Sequence, residues 1–424
     1  MKYQKRTFSN GMKGIVAPLK ETKTITLLVL VKVGSRYESA QVNGVSHFIE
    51  HMMFKGTKRR PTTLEISKEL DGIGAEFNAF TGKDHTGYYI KANCEKTELV
   101  FDILSDALIN SQFDLTELNR ERGVIEEEIN MYKDNPMMHI GSLFEELIYG
   151  EKSFLGQQIS GPKSVIRNVT RQQMMQFKKS FYKPKNTLVV VAGNITPTKG
   201  FNLIQKYFKF SKEAKKVPAF KKALIKQTKP QVKLEYRKTE QAQLCVGFPA
   251  YSYFHKDVNA LALLNIILGG NMSSRLFINI RERQGLCYLV RSSANLYEDV
   301  GNIVVQAGLD RKRVKQATKA ILKVIQDVKQ NGVTEEELKK SKDFLQGKLT
   351  IEMEDSESIA GWYGSQQLLK NQTLTIEEKF KSIQKVTLKD IQRVANDLFK
   401  KELINLVIIG PFSKKQEFIS LLKV

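Results

Sequence analysis

The stretch His47-Phe48-Ile49-Glu50-His51 decides how this chain is read. Two histidines four apart lie one turn from each other on a single helix face. Neutral imidazoles at that spacing grip one metal ion, and with one carboxylate they hold Zn²⁺ and leave a fourth position for water. Glu50, at the edge of the same face, is placed to take that water's proton. Residues 42–54 are mostly apolar and Lys55-Gly56-Thr57 supplies a glycine stop, so the pattern predicts a buried helix. Paired histidines on such a helix need polar partners. With only five histidines in the chain, chance is a poor explanation of the pairing.

A second stretch supplies the partner. Residues 114–133, ended by Asp134-Asn135-Pro136, predict a helix with Leu118, Ile125, Ile129 and Tyr132 on one stripe. Glu121 and Glu128 fall on or beside that stripe, whereas Glu126 and Glu127 point away and read as a solvated face. Carboxylates on the core side of a helix are costly unless a cation meets them, and the histidine helix offers one.

Around these helices the chain alternates strands and helices. Residues 24–33 predict a buried strand, residues 76–81 and 86–92 a hairpin, and residues 187–193 another buried strand. The second half repeats the first faintly: Asn186-Thr-Leu-Val-Val-Val-Ala-Gly193 matches Ile404-Asn-Leu-Val-Ile-Ile-Gly410, and residues 84–92 match 299–307. A duplicated unit accounts for this. The copy has no histidine pair, and the counterpart of its glutamate helix, near 334–353, carries lysines. The expected fold is therefore α+β: two homologous domains, each a mostly antiparallel sheet with helices packed on one side. The boundaries read as 1–213 for the metal-binding domain, 214–230 for a lysine-rich linker with Pro218 and Pro230, and 231–424 for the copy.

Composition sets the remaining bounds. The formal charge is +22, from 67 Lys and Arg against 45 Asp and Glu. The lysines are spread along the chain without a nucleic-acid motif, so they read as a solvated surface and not as a nucleic-acid interface. Three scattered cysteines, Cys94, Cys245 and Cys287, suggest neither a disulfide framework nor a cysteine metal site. No stretch reads as a signal peptide or membrane span, which makes a cytoplasmic location the expectation.

Taken together, His47, Glu50, His51, Glu121 and Glu128, with residues 77–80 and Arg281-Glu-Arg-Gln-Gly-Leu-Cys-Tyr288, resemble the inverted-motif zinc peptidases. Pitrilysin, insulin-degrading enzyme and the mitochondrial processing peptidase belong to that family. The resemblance runs over essentially the whole chain and is closest to the short bacterial members of processing-peptidase type. It implies one zinc per chain, held by His47, His51 and Glu128. It implies Glu50 as general base and Glu121 as a supporting glutamate of the catalytic site. It implies that Asn78 and Ala79, on an edge strand, and the pair Arg281 and Tyr288 contact substrate. The activity it implies is endoproteolysis of peptides and unfolded or extended segments, which add to the edge strand through backbone hydrogen bonds. It also implies a homodimer in which each zinc site faces the other protomer's Arg281 and Tyr288. A rival expectation is a non-catalytic subunit like the core proteins of a respiratory complex, which keep the fold and lose the chemistry.

Overall fold

The apolar run near the start of the chain is buried on both faces, and the layers that bury it define the architecture. The computed structural model describes residues 2–210 and 216–422. Its residues divide into two units. The first comprises Met1–Ile129, Gln157–Lys221 and Leu349–Glu377; the second comprises Asn130–Gly156, Lys222–Lys348 and Glu378–Val424.

In the first unit, β1 (Gln4–Thr7), β2 (Lys13–Pro18), β3 (Thr24–Val31), β4 (Glu76–Thr81), β5 (Thr86–Asn93) and β6 (Thr187–Gly193) form one sheet of order β1-β2-β6-β3-β5-β4. Only β2 and β6 run parallel. Its helices are α1 (Val45–Met52), α2 (Thr63–Asp71), α3 (Thr97–Asn110), most of α4 (Leu115–Asp134), α6 (Lys163–Asn168), α7 (Arg171–Phe181), α8 (Pro197–Tyr207) and α12 (Ser356–Ser365). Alternation along β3 explains the layers. Ile25, Leu27, Val29 and Val31 join Phe48, Ile49, Leu104, Ile125 and Phe201 in a core between sheet and helices. Residues of opposite parity meet α12, which lies so close that a Cβ on Gly364 would stand 2.7 Å from Leu30. There the hydroxyls of Thr26 and Ser356 share a buried hydrogen bond of 2.8 Å.

The second unit repeats the plan with β7 (Gln231–Tyr236), β8 (Gln241–Ala250), β9 (Leu289–Leu296), β10 (Gly301–Asp310) and β11 (Asn405–Gly410) in the order β7-β11-β8-β10-β9. Again one pair, β7 with β11, is parallel. Leu244, Val246, Leu406 and Ile408 face a core shared with α9 (Val258–Asn265), α10 (Val314–Asn331) and α14 (Leu388–Leu398). Cys245, Val407 and Ile409 face α5 (Pro136–Tyr149) through Ile140 and Phe144. The remaining α-helices are α11 (Glu335–Glu352), which runs past the end of the unit, α13 (Ile376–Gln384) and α15 (Lys415–Leu421), and two π-helical segments cover Ile266–Gly270 and Phe277–Glu282.

Both units are thus α+β, with one main helical layer and a single helix on the opposite sheet face. That single helix is the one taken from the other half of the chain: α12 in the first unit, α5 in the second. The expected linker at 214–230 begins among residues 211–215, which lie outside the described residues. Residues 216–230 carry neither helix nor strand, and the change of unit falls between Lys221 and Lys222. Among the described residues no helix is long and apolar enough to cross a membrane.

Candidate metal centre

The histidine helix is fixed at its start by a buried acid. Gly44, at φ 97°, turns the chain into α1, and a Cβ there would meet the Ser160 carbonyl oxygen at 2.5 Å. The carboxylate of Glu38 accepts hydrogen bonds from the backbone N–H of Gly44 and of Ser46, each at 2.6 Å, and from Asn43 Nδ2 at 3.0 Å. These satisfy orphan donors of the first turn and set a negative group at the positive end of the helix. Burial raises the Glu38 carboxyl above the usual range even against those bonds.

From this start, α1 brings His47 and His51 together with Nε2 atoms 3.3 Å apart. From α4, Glu128 sets Oε2 3.6 Å from His47 Nε2 and 3.4 Å from His51 Nε2. These are the only three residues among those described whose His, Cys or carboxylate atoms cluster closely enough to hold a metal. Size tests the fit. Two atoms each about 2.0–2.1 Å from a zinc ion at a tetrahedral angle lie about 3.3 Å apart. The triangle of two nitrogens and one oxygen has that size, and its chemistry is a zinc donor set.

Glu121 stands behind the triangle. Its Oε2 lies 3.0 Å from His51 Nδ1, and its Oε1 takes a 2.6 Å ion pair from Lys55. A carboxylate on the far nitrogen of a ligand histidine orients the ring and raises its basicity. Burial would raise the Glu121 carboxyl, but the bonds to His51 and Lys55 hold it below the usual range. Burial likewise opposes a charge on His51, yet its bonds to Glu121 and Glu128 push it up to about 9. Hydrogen bonds from His47 and His51 draw Glu128 down to about 2. The metal-free cluster therefore already stores a positive charge against two carboxylates. The two histidines are not equivalent, because His47 Nδ1 is buried with no hydrogen-bond partner among the described residues.

Glu50 is no part of the triangle. Its Oε2 accepts a 2.5 Å hydrogen bond from the Thr81 hydroxyl at the end of β4. Asn78 and Ala79 lie on the same strand, at the open edge of the sheet. The Asn78 side chain turns back to accept from the Ala79 N–H at 2.8 Å, covering one edge donor. The sequence reading thus placed His47, His51, Glu128, Glu121 and Glu50 in one cluster and Asn78 and Ala79 on an edge strand, and the structure puts them there. It missed Thr81, Lys55 and Glu38. Of these only Lys55 left a signal, a basic residue just past the end of α1 and four residues beyond His51.

Arg281 and Tyr288 belong to the second unit. The Arg281 guanidinium lies 4.8 Å from the centre of the Phe277 ring. The Tyr288 hydroxyl accepts from Gln243 Nε2 at 2.7 Å; the residue is 42% exposed, and its ring lies over Gly308, where a Cβ would come within 2.4 Å.

Comparison with known proteins agrees with this geometry. The family model of insulinase, peptidase family M16, matches residues 15–162, and that of the peptidase M16 inactive domain matches residues 168–345. An uncharacterized zinc protease of Bacillus subtilis is 33% identical over 96% of this chain and 97% of its own length. One from Streptomyces coelicolor is 31% identical over 97% of this chain and 90% of its own. The crystal structure of a protease from Helicobacter pylori superimposes with a TM-score of 0.91 at 26% identity, over 97% of this chain and all of the other.

Proposed function

The chain belongs to the insulinase family, peptidase family M16, and from that premise we propose that it is a zinc-dependent endopeptidase acting on peptides and on unfolded or extended polypeptide segments. The observation that carries this reading is the triangle of His47 Nε2, His51 Nε2 and Glu128 Oε2, sized for one zinc ion, with the unligated carboxylate of Glu50 on the same helix. Zinc held there supplies Lewis-acid chemistry, polarising the scissile carbonyl and acidifying the attacking water. Glu50 takes the proton from that water at its carboxylate and hands it to the leaving nitrogen. Thr81 holds one oxygen of Glu50 so that the other is available, and Glu121 fixes the His51 ring. An extended substrate adds to the free edge of β4 beside Asn78 and Ala79, with the Asn78 side chain giving up the Ala79 N–H. Arg281 and Tyr288 serve as further substrate contacts, and the proposed assembly is a homodimer.

The test is Glu50→Gln. It is expected to keep one zinc per chain by metal analysis and to cut a quenched fluorescent peptide at least about a hundredfold more slowly. A zinc-free Glu50→Gln protein, or one with undiminished cleavage, overturns the assignment. Equal rates on the peptide and on a stably folded protein overturn the substrate class. Co-expression of Glu50→Gln with Arg281→Ala tests the assembly, since activity is regained only if protomers share a site.

A further inference from the structure

The half of the chain without metal ligands has a cavity of its own. In the second unit a space of about 590 Å³ opens beside α10. Phe248, Leu322, Ile325, Phe399, Ile404 and Leu421 form its apolar wall. Phe248 and Phe399 meet there with ring centres 5.1 Å apart and planes tilted by 56°, and both are buried, as are Ile325 and Ile404. The volume falls in the range of sites that take small molecules, about 300–1,000 Å³.

The rim has one sign. Lys319 and Lys323, one turn apart on α10, and Lys401 are exposed at the cavity, and none of the three makes a side-chain hydrogen bond or ion pair among the described residues. A fourth lysine, Lys329, is committed to the Phe399 carbonyl oxygen at 2.8 Å. Among the described residues no Asp or Glu lines the cavity. By contrast Lys315, on the same helix, pairs with Glu417 at 2.6 Å. Three uncompensated cations around an apolar hole suit a ligand with an anionic head and a hydrocarbon body. The head gains charge-assisted hydrogen bonds at the rim, and the body gains burial in the wall.

We propose that this cavity binds a single-chain fatty acid, its carboxylate between Lys319, Lys323 and Lys401 and its alkyl chain against Leu322, Phe399 and Leu421. The site is separate from the peptidase reading and does not depend on it.

Titration calorimetry on the full-length zinc-loaded protein tests this, with decanoate, dodecanoate and tetradecanoate below their micelle concentrations. One acid per chain is expected, with affinity rising about fourfold per methylene. Dodecanol and dodecylamine are expected to bind at least tenfold more weakly than dodecanoate. The charge reversal Lys319→Glu/Lys323→Glu is expected to weaken dodecanoate tenfold or more. Leu322→Trp, which fills the cavity, is expected to remove binding at an unchanged melting temperature. Because the double charge reversal alters only exposed side chains, it decides the matter even if the tryptophan variant fails to fold. The proposal is overturned by an absence of chain-length dependence, by equal affinity for the amine, or by indifference to the charge reversal. It is also overturned if the protein binds anionic vesicles or an acidic apolar peptide but not monomeric dodecanoate.

Discussion

Helices α1 and α9 occupy equivalent places after β3 and β8, each eight residues long and each starting at a valine. Counted from those valines, His47, Glu50 and His51 correspond to Ala260, Leu263 and Leu264, all three of them buried. Aligning the buried Leu118 of α4 with Leu338 of α11 sets Ser341 in the place of Glu121 and Lys348 in that of Glu128. The backbone plan is the same; the side chains that store charge in one unit are replaced by apolar ones, a hydroxyl and a lysine in the other. The fold therefore does not need the metal. The first unit holds its polar cluster at a cost in buried charge that the second avoids. Fold and chemistry separate cleanly, as they do wherever a site is grafted on a scaffold.

The sharpest way to break this comparison is to write the second unit's residues into the first. The variant His47→Ala/Glu50→Leu/His51→Leu is expected to fold, to carry no zinc and to show only background cleavage. Its melting temperature should fall below that of the metal-free wild type, because Glu121 and Glu128 stay behind without their histidine partners. A misfolded product would show that α1 depends on its charges in a way α9 does not. Glu128→Lys, after Lys348, is expected to abolish zinc binding alone, read by metal analysis.

The next effect concerns protons. With His51 raised to about 9, zinc must displace a proton at neutral pH. Zinc affinity is expected to fall about fiftyfold from pH 9 to pH 7, and calorimetry at pH 7 in two buffers of different ionisation enthalpy should count about one proton released. For the metal-free protein the sign reverses. A folded-state pKa above the ordinary 6.5 gives stability that is complete below 6.5 and lost as pH rises through about 9. The melting temperature of the metal-free form should drop over that interval, and the triple variant, which lacks His51, should not follow it.

Much of this was legible in the sequence because it follows from local pattern. The run in β3 and the echo of β6 in β11 are short continuous apolar stretches, and the hairpin of β4 and β5 is two strand segments around a Gly-Lys-Asp-His turn. The His-x-x-Glu-His spacing is a helical one. What was not legible is tertiary. Nothing in the apolar faces of α5 or α12 says that each packs in the unit formed mainly by the other half of the chain, since an apolar stripe names no partner. The edge position of β4 and the roles of Arg281 and Tyr288 came from family resemblance alone. Thr81 was missed because a threonine ending a strand before a turn looks like every other; its meaning lies in Glu50, thirty-one residues earlier in the chain.

A smaller effect is expected at Glu121. Glu121→Gln keeps the contact with His51 but removes a charge, so zinc affinity or turnover should fall roughly 10–100-fold. It should also flatten the pH dependence of zinc binding, because the bond to Glu121 is one of those that raise His51. Alanine at Ser341, the equivalent place in α11, should leave both unchanged.

The smallest effect tests whether the comparison extends past the ligands to the group that holds the base. Thr81 closes β4 as Leu296 closes β9, each paired with the first residue of the next strand, Thr86 and Gly301. The hydrogen-bonded pair Glu50 and Thr81 thus has Leu263 and Leu296 as its apolar counterpart, Leu263 in the second unit's core and Leu296 half-buried against it. Thr81→Val removes the hydroxyl at nearly constant shape. A hydrogen bond to a charged group contributes about 1.5–3 kcal/mol, so turnover should fall about tenfold once Glu50 is less firmly held. Zinc content should be unchanged and KM little altered, since Thr81 touches neither ligand nor edge donor. In the triple variant, where residue 50 is leucine, the hydroxyl has lost its acceptor, and the same Thr81→Val change should raise the melting temperature. Opposite signs in the two backgrounds identify Thr81 as a residue that positions Glu50. The same sign in both would make it an ordinary strand residue and would end the correspondence between the units at the metal ligands.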